Sequence, residues 1–598
     1  MTRQADNRIR GIFFFLFRPN SGLFGAALVA VSLSVVVAAG FRSSALGATS
    51  AREGGTASER VNDFGVPQVG EINRAIRQGW SDNQLTPSKA ASDAEWCRRV
   101  YLDLVGRIPS VDELQNYLTD REEDKRRRLV DELLGDDHLE EFARNWTTLW
   151  TNLLIGRTGG SDRDSMAVRA GMQQYLRRAF QKNKSYEQLA EELVTATGSC
   201  RPGDSDFNGA ANFLADKMAE NGVQATAKTS EIFLGMAVQC TQCHNHPFNE
   251  YRQNQFWEMN AFFRQTRIDR QEMGNDNDRR YARIANRDFA GEGGDPMKAE
   301  LYYELRNGKL KVAYPVFVDG SSLADKYVDK GEDFGDSGYL EDINRRQELA
   351  ELILASDEFP RAAVNRMWSH FFGYGFTKPI YDMGPHNTPT HPELLDYLAR
   401  EFRDSSFDMK RLMRWMVLSE PYTLSSRMTR DNQSDDPNLG ARPQFSHFYL
   451  RQMQAEQLYE SLLVSTQAAD ALPFDQREKV KQRWLAQFNS AFGTDDNSES
   501  TTFNGSIPQA LMMMNGELIK KATNCEPGSF LHKIATDGEL SNAKKINYLY
   551  LSALARQPSR AEVTVGNQLL MARKGNTPEA LKDIWWALLN SNEFILIH

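Results

Sequence analysis

Apolar residues recur every three or four positions along most of the chain, which is the period of an amphipathic helix. Leu129, Val130, Leu133 and Leu134 follow this spacing. The same pattern occurs at 146–153, 346–355, 362–372, 392–402 and 409–418. The run at 146–153 is rich in tryptophan, and a stripe of this kind is typical of core packing. The pattern therefore predicts a mainly α-helical protein.

Three predicted helix starts are marked by a hydroxyl residue that can cap the first free amide groups. These starts are the pairs Ser110/Glu113 and Ser185/Gln188, and Thr390 ahead of Pro392. In the third start, Thr390 is the expected N-cap and the proline lies in the first turn. The tail 545–594 predicts two more helices, which a capped connection at 558–562 joins.

The composition changes between 267 and 344. Loop compositions occur at 275–278 and 291–294. Two short segments of strand type, 301–305 and 310–314, flank an Asn-Gly pair at 307–308, which is a strong hairpin signal. The predicted fold is thus mainly α, with two helical lobes joined by a small β insertion and preceded by a signal or anchor segment. The corresponding domains are 71–266 for the first lobe, 267–344 for the insertion and 345–598 for the second lobe.

The amino terminus has the order of a secretory signal. Several arginines precede an apolar stretch from Gly22 to Gly40, and small residues follow it. The stretch is also long enough to span a bilayer as an uncleaved anchor. We therefore predict that 1–48 is a signal peptide or membrane anchor, and that 49–70 is a linker. The protein is expected to be exported, to lie in the periplasm or at the cell surface, and to contact a membrane only through this segment.

Charge and cysteine content argue against several classes of protein. The 598 residues carry a formal net charge of −9, whereas binding to nucleic acid needs clustered Lys and Arg. The basic run 125–128 follows an acidic run and is expected to be a solvated helix face. Five cysteines in so long a chain do not form a disulfide scaffold. The sequence also lacks the usual hydrolase and nucleotide-binding motifs.

One cluster carries distinctive chemistry, Cys240-Thr241-Gln242-Cys243-His244. Cys-x-x-Cys-His is the attachment sequence of c-type haem. Cys240 and Cys243 can form thioethers to the two vinyl groups of one porphyrin, and His244 can then reach the iron as proximal ligand. The predicted export agrees with haem c as the cofactor, because covalent haem attachment in bacteria follows translocation.

The same residues allow two other interpretations. Cys240, Cys243, His244 and His246 are four potential zinc ligands. The neighbours Cys243 and His244 cannot both ligate without strain, so three local ligands and a remote one are expected. Alternatively, the two cysteines form a disulfide or redox pair in an oxidising compartment. The sequence leaves all three interpretations open.

Residues far from the cluster are candidates for completing its site. The candidates for the second axial ligand of a haem iron are His246, His370, Met383, His386 and His391. A metal-dependent enzyme would instead use His244, His246 and a residue such as His386 or Asp382. Arg366 and His370 lie four apart on one predicted helix, and a polar network that caps helices is the simpler explanation for them.

Two segments, 97–109 (CRRVYLDLVGRIP) and 238–248 (VQCTQCHNHPF), resemble the first domain of a large bacterial family. Segments 363–368, 391–399 and 586–594 resemble its second domain. The family is known mainly from planctomycetes and is catalogued as cytochrome-associated domains of unknown function, 1549 followed by 1553. The resemblance implies export. Many members carry an additional amino-terminal cytochrome c domain, which we do not expect here because the linker leads straight into the first domain.

These observations predict an exported c-type haem protein that transfers electrons or supports a partner oxidoreductase. The alternative is a non-catalytic cell-surface or assembly protein whose cysteine cluster is a structural zinc site or a disulfide. One haem motif in so long a helical chain also suits such a scaffold. The expected partners are an oxidoreductase or cell-surface proteins, and not a nucleic acid.

Overall fold

The computed structural model describes residues 62–160, 165–273, 276–329, 335–468 and 516–598, together with 476, 479–481 and 484–485. The predicted signal or anchor segment and most of the linker lie outside these residues. Among the described residues, no helix has the length and apolar character needed to cross a bilayer. The described chain is mainly helical, as the sequence predicts.

The part of the chain before the β insertion consists of helices α1 to α10 and the short strand β1. The helices are α1 Pro67–Asp82, α2 Asp93–Val105, α3 Val111–Thr119, α4 Lys125–Leu133, α5 Leu139–Ile155, α6 Arg169–Gln181, α7 Tyr186–Thr195, α8 Ala211–Lys217, α9 Ala219–Phe233 and α10 Gln253–Ala261. Strand β1 is Gly198–Ser199. Trp146 on α5 is buried against Phe180 and Phe371, so the tryptophan stripe is core packing, as predicted.

The β insertion contains the hairpin that the sequence predicts and a second one that it does not. The strands are β2 Thr266–Met273, β3 Asp276–Asn286, β4 Tyr302–Glu304 and β5 Leu310–Val312. Strands β4 and β5 pair antiparallel around the predicted Asn-Gly turn. Strands β1, β3 and β2 form an antiparallel sheet in that order.

The loop predicted at 275–278 is wrong over 276–278, which belong to β3, and position 275 lies outside the described residues. Opposite charges face each other across β2 and β3 at Asp269 and Arg283, while Ile268 faces Ile284. Such cross-strand pairs stabilise a strand of polar composition, and a single segment read alone does not reveal its partner.

A short helix near the end of the insertion is followed by a helical second half. The remaining elements are α11 Leu323–Tyr327, α12 Arg345–Ala355, α13 Glu358–Phe372, α14 Pro392–Asp404, α15 Met409–Leu418, α16 Glu420–Thr423, β6 Arg451–Gln452, α17 Ala455–Ser465, α18 Glu517–Ala522, α19 Phe530–Thr536, α20 Asn542–Leu554, α21 Arg560–Ala572, α22 Thr577–Leu589, α23 Asn592–Ile595 and β7 Leu596–Ile597. Strands β6 and β7 pair antiparallel. The four predicted helices of this half, α12 to α15, are confirmed.

Two local predictions in this half are wrong. The tail contains the three helices α20 to α22 and the short α23 where two helices were expected, because the chain turns at Gly575 with φ +80°. The N-cap of α14 is His391 and not Thr390. The Thr390 hydroxyl lies 3.1 Å from His391 Nδ1, so it is engaged beside the helix start. By contrast, Ser110 and Ser185 cap their helices as predicted.

Buried arginines hold the first helices against the carboxyl terminus. Arg98 donates to the carbonyl oxygens of Ala553 at 3.0 Å and Phe594 at 2.8 Å. Its neighbour Arg99 donates to the carbonyl oxygen of His598 at 3.0 Å. Both guanidinium groups are fully buried. The two helical halves are therefore packed together through hydrogen bonds as well as apolar contacts.

An arginine clamp fixes the turn between α2 and α3. Arg107 follows Gly106, which ends α2 in the left-handed region with φ +77°. Its guanidinium donates to both carboxylate oxygens of Glu113 and of Glu141, at 2.7 to 2.9 Å. The guanidinium carbon also lies 5.2 Å from the centre of the Tyr101 ring. One side chain thus ties the starts of α3 and α5 to the end of α2.

The same clamp recurs near the carboxyl terminus. Arg556 follows a left-handed residue at the end of α20 and donates to both oxygens of Glu562 and of Glu593. Its guanidinium carbon lies 5.4 Å from the centre of the Tyr550 ring. Both clamps share the sequence Arg-x-Pro-Ser-x-x-Glu. The fold therefore contains one helix–turn–helix device twice.

We expect Arg107→Ala to lower the free energy of unfolding at pH 7 by about 2 kcal/mol, between the values for exposed and buried ion pairs. Burial alone would raise the pKa of Glu141, but hydrogen bonds from His138 and Arg107 outweigh it and hold that pKa well below its usual range. Because the pKa of Glu141 is lower in the folded protein than in the unfolded one, the clamp stabilises the protein fully at pH values above the unfolded pKa of about 4.3. This stabilisation is lost as the pH falls from there towards the folded pKa.

Urea unfolding of wild type and Arg107→Ala at pH 7 and pH 3 checks this prediction. The difference between the two proteins should shrink at the lower pH. Arg74→Ala is the matched control, because Arg74 pairs with Glu71 on an exposed part of α1 and should cost less than about 1 kcal/mol. An equal loss of unfolding free energy in the two variants would contradict the stabilising role of the Arg107 clamp.

Candidate functional site

The predicted cluster lies on an exposed turn between α9 and α10, which we call the cysteine segment (238–248). After α9 ends at Phe233, Gly235 reverses the chain with φ +67°. A Cβ at Gly235 would lie 2.7 Å from Met383 Sδ, so the close approach of these two segments requires glycine. A 3-10 helix, Gln239–Gln242, then carries Cys240, and Cys243 follows as its C-cap.

Cys240 and Cys243 lie three positions apart on this turn. Both cysteines are exposed and free. Thr241 between them points inwards, is buried and donates its hydroxyl to the Val238 carbonyl at 2.6 Å. The turn thus presents two sulfur atoms together to solvent.

The next residue, His244, is exposed and held in one tautomer. Its Nδ1 lies 2.7 Å from the carbonyl oxygen of Asn245. A carbonyl only accepts, so Nδ1 must carry the proton and Nε2 keeps its lone pair. A backbone hydrogen bond of this kind orients many metal-ligating histidines. His244 is therefore prepared to ligate a metal through Nε2.

Two side chains of α10 hold the cysteine segment in place through hydrogen bonds. The carbonyl oxygen of Gln242 accepts from Gln253 Nε2 at 3.2 Å and from Trp257 Nε1 at 3.0 Å. The Gln253 amide N–H donates to the Asn245 side chain at 3.0 Å, and its Nε2 also reaches the Glu304 carbonyl in β4. The turn is therefore rigidly placed. The sequence analysis did not select Gln253 and Trp257 as site residues. Their short distance from the cluster along the chain could have indicated them.

His246 fixes the chain after the cluster. Its Nδ1 accepts from the backbone N–H groups of Phe248 at 3.2 Å and Asn249 at 3.1 Å. Its own backbone N–H donates to the carbonyl of Tyr251 at 2.8 Å. With Nδ1 as acceptor, the neutral ring carries its proton on Nε2. This arrangement gives His246 a structural role, and its predicted role as a metal ligand stays a prediction.

A loop from the second half of the chain, 382–387, contacts residues on either side of the cysteine segment, and we call it the histidine loop. His386 Nε2 lies 2.9 Å from Asp382 Oδ1, and Asn387 Nδ2 donates to the Asp382 carbonyl at 2.8 Å. The carboxylate accepts a hydrogen bond from Nε2–H, so the neutral imidazole carries its proton on Nε2 and keeps a lone pair on Nδ1. A carboxylate–histidine pair of this kind suits metal binding or proton transfer.

Two hydrogen bonds hold the histidine loop against the residues that flank the cysteine segment, Gly235 and Tyr251. The Met383 backbone N–H donates to the Gly235 carbonyl at 2.8 Å. The Tyr251 hydroxyl donates to the Met383 carbonyl at 2.9 Å. Burial, with the charge of Asp382 adding to it, raises the pKa of Tyr251, so this hydroxyl stays protonated as the donor. The structure therefore places the histidine loop against the two chain segments from which the cysteine turn projects.

Two other predicted candidates lie elsewhere. His370 is buried 5.0 Å from the Trp146 ring centre, and burial lowers its pKa to about 4. His391 is also buried, its pKa is likewise lowered to about 4, and it lines a polar cleft of about 680 Å³ beside α1. Arg366 donates to the Glu231 carbonyl at 3.3 Å, as a residue of a capping network would. Neither histidine belongs to the site around the cysteine segment.

The side chains of the candidate site can be compared with the needs of the two groups that the sequence suggests, a metal ion and a covalently attached haem. No group of three or more His, Cys, Asp or Glu side chains among the described residues is arranged to hold a metal ion. A covalently attached haem needs two free thiols, an imidazole with a free nitrogen and apolar neighbours. Cys240, Cys243 and His244 supply the first two, and Phe248, 86% exposed, supplies an apolar ring nearby. These residues supply the thiols and the imidazole that covalent haem attachment uses.

Comparison with protein families gives two matches. The model PSCyt2, described as "Protein of unknown function (DUF1549)", matches residues 71–268. The model PSD1, described as "Protein of unknown function (DUF1553)", matches residues 345–484. No curated protein and no solved structure matches the chain. The cysteine segment lies within the first match and the histidine loop within the second.

Proposed function

We propose that this chain, which belongs to the family in which a DUF1549 domain precedes a DUF1553 domain, is an exported c-type haem protein. Cys240 and Cys243 would attach the haem, and His244 would be the proximal iron ligand. The observation that carries the proposal is the pairing of two free thiols on one exposed turn with a histidine whose Nε2 lone pair is available. Haem supplies one-electron redox chemistry, so the role is electron transfer or support of a partner oxidoreductase.

The chain's own residues prepare this attachment. Gln253 and Trp257 hold the Gln242 carbonyl, which keeps the turn between the two cysteines in place. The Asn245 carbonyl holds His244 in the tautomer with a free Nε2. Preorganised ligands need no rearrangement when the group binds. The exposed position of the thiols also leaves them open to a maturation system.

The proposed location outside the cytoplasm rests on the sequence. Basic residues ahead of the apolar stretch Gly22 to Gly40 are typical of an export signal. This stretch lies outside the described residues. Covalent haem attachment after translocation and an export signal support each other, and both favour the periplasm or the cell surface.

We expect a covalent haem band in the reduced pyridine haemochrome spectrum of protein produced with a c-type maturation system. Cys240→Ala/Cys243→Ala should lose the band entirely, because no thioether can form. Cys525→Ala is the matched control, since this cysteine lies outside the segment, and it should keep the full band. Intact-mass measurement of each protein checks the adduct independently. Folded wild-type protein without a haem adduct would refute the proposal.

A second function is favoured by the same two free, exposed thiols, which can form a disulfide with each other instead of bonds to a porphyrin. In that case the cluster is a disulfide or redox pair in a non-catalytic surface or assembly protein. A mass two hydrogens below that of the reduced chain, without an adduct, would identify this form. The zinc version of this alternative stays a prediction, and metal analysis of the purified protein tests it.

A further inference from the structure

The polar cleft beside α1 lies outside the site around the cysteine segment. Helix α1 forms one wall, and the first residues of α14 and the segment 434–444 form the other. The cleft has a volume of about 680 Å³. His391, the N-cap of α14, belongs to its lining. This histidine is an ionisable residue for which the proposed haem function has no use.

The His391 ring is enclosed by other side chains. Its exposed fraction is 8%, and the ring centres of Phe376 and Phe445 lie 6.1 and 5.9 Å away. Nδ1 lies 3.1 Å from the Thr390 hydroxyl, whereas the buried Nε2 has no hydrogen-bond partner within the described part of the chain. A neutral imidazole can keep Nε2 unprotonated, but a protonated ring carries an N–H at both nitrogens. A buried donor without an acceptor is costly.

Helix α1 covers this nitrogen at Gly79. A Cβ at Gly79 would lie 2.4 Å from His391 Nε2, so the helix can pack this closely on the ring because the residue is glycine. The contact leaves no room between α1 and Nε2 for a side chain that could accept a hydrogen bond. The end of α1 is fixed nearby, since Trp80 Nε1 donates to the Gln444 carbonyl at 2.8 Å and Asn83 Nδ2 donates to the Gln444 side chain at 3.1 Å. His391 thus lies where α1 meets the second half of the chain.

The charges around the ring do not offset its burial. Burial lowers the pKa of His391 to about 4, although the Asp435 carboxylate favours a proton on the ring. The Arg442 charge and the positive end of the α14 dipole disfavour that proton. Further ionisable side chains on these elements are Glu71, Arg74 and Asp82 on α1, Glu393 on α14, and His447 and Tyr449 beside Asp435.

We propose that His391 is a pH-sensitive switch between α1 and the second half of the chain. The neutral ring packs against Gly79, whereas a proton on Nε2 finds no acceptor there, so α1 moves away and opens the cleft to water. Because the pKa of His391 is lower in the folded protein than the ordinary value of about 6.5, the neutral ring stabilises the closed form fully above that pH. This stabilisation is lost as the pH falls towards about 4. The inference does not depend on a haem.

Hydrogen exchange of the full chain at pH 7 and pH 5, corrected for the intrinsic rate of each amide, tests this switch. With pKa values of about 4 in the closed form and about 6.5 in the open form, opening of α1 should rise about 20-fold between the two pH values. Helix α20, none of whose residues lines the cleft, should change less. His391→Gln has no charge to gain and should lose the rise at α1. His532→Gln is the control and should keep it, because this residue lies on α19, outside the cleft.

Gly79→Ala tests the packing without changing an ionisable group. Alanine is the better helix former, but its Cβ would collide with the ring, so α1 should exchange fast already at pH 7 and respond little to acid. Gly70→Ala on the same helix is the matched control, because a Cβ there would meet Asp63 at an ordinary 3.5 Å. A full rise at α1 in His391→Gln, an equal rise in all helices of the wild type, or an α1 in Gly79→Ala as protected as in Gly70→Ala would each overturn the switch.

Discussion

Replacing Arg451 by alanine is expected to lower the free energy of unfolding by about 3–5 kcal/mol, the usual cost of removing one partner of a buried ion pair. Arg451 Nη2 lies 2.7 Å from Asp103 Oδ2, and the two side chains are 4% and 0% exposed. Arg451 also donates to the His370 carbonyl at 2.5 Å, and Asp103 accepts from the Tyr422 hydroxyl at 2.7 Å. Without the guanidinium, the Asp103 carboxylate stays buried with the neutral Tyr422 hydroxyl as its hydrogen-bond partner, and Arg99 is a nearby positive charge.

Urea unfolding of single and double variants measures this effect. Arg451→Ala and Asp103→Ala should each be strongly destabilised, and the double variant should lose much less than the sum, because neither charge is then left alone. Arg573→Ala is the control, since its pair with Asp583 is 46% and 34% exposed and should cost less than about 1 kcal/mol. Additive losses in the double variant would show that the pair does not act as a unit.

Local signals account for the parts of the fold that were predicted. Ser110 and Glu113 are close in sequence and satisfy each other's backbone groups, so the cap needs no distant residue. The hairpin around Asn307-Gly308 is equally local, because Gly308 takes φ +78° at little cost. In contrast, β2 and β3 are polar strands whose stability comes from their pairing, which neither segment shows alone.

The candidate site was predicted in part for the same reason. Cys240, Cys243 and His244 are adjacent in sequence, so their chemistry is visible without the fold. The sequence provided no reason to choose among the remote candidate ligands, whereas in the structure they differ in burial. His370 lies in an aromatic core, whereas His386 lies on a loop that Tyr251 holds beside the cluster. The repeated arginine clamp was visible in the matching sequences around Arg107 and Arg556, but only a comparison of distant segments would have found it.

The second large effect is expected at Arg346, a fully buried residue at the start of α12. Its guanidinium donates to the carbonyls of Val194 at 2.8 Å and Ala196 at 2.9 Å, at the end of α7 and just after it. It also donates to Asn286 Oδ1 at the end of β3, at 2.6 Å. One side chain therefore joins the first helical half, the β insertion and the second helical half.

We expect Arg346→Ala to cost about 3 kcal/mol or more, because several buried acceptors lose a charged donor at once. Arg346→Lys should not restore the loss, since an ammonium cannot reproduce the planar fork of donors. Gln347→Ala on the same helix is the control, because the Gln347 side chain donates to Glu191 at 3.3 Å, between two half-buried groups.

Hydrogen exchange shows whether Arg346→Ala destabilises the protein locally, at the segments that the Arg346 guanidinium contacts. In Arg346→Ala, amides after α7 and at the end of β3 should exchange faster than those of α20, which lies outside the contacts of this guanidinium. A uniform increase would mean that the arginine acts through overall stability alone. A local increase at both places would show that this residue couples the insertion to both halves, and so helps to hold the cysteine segment and the histidine loop in one frame.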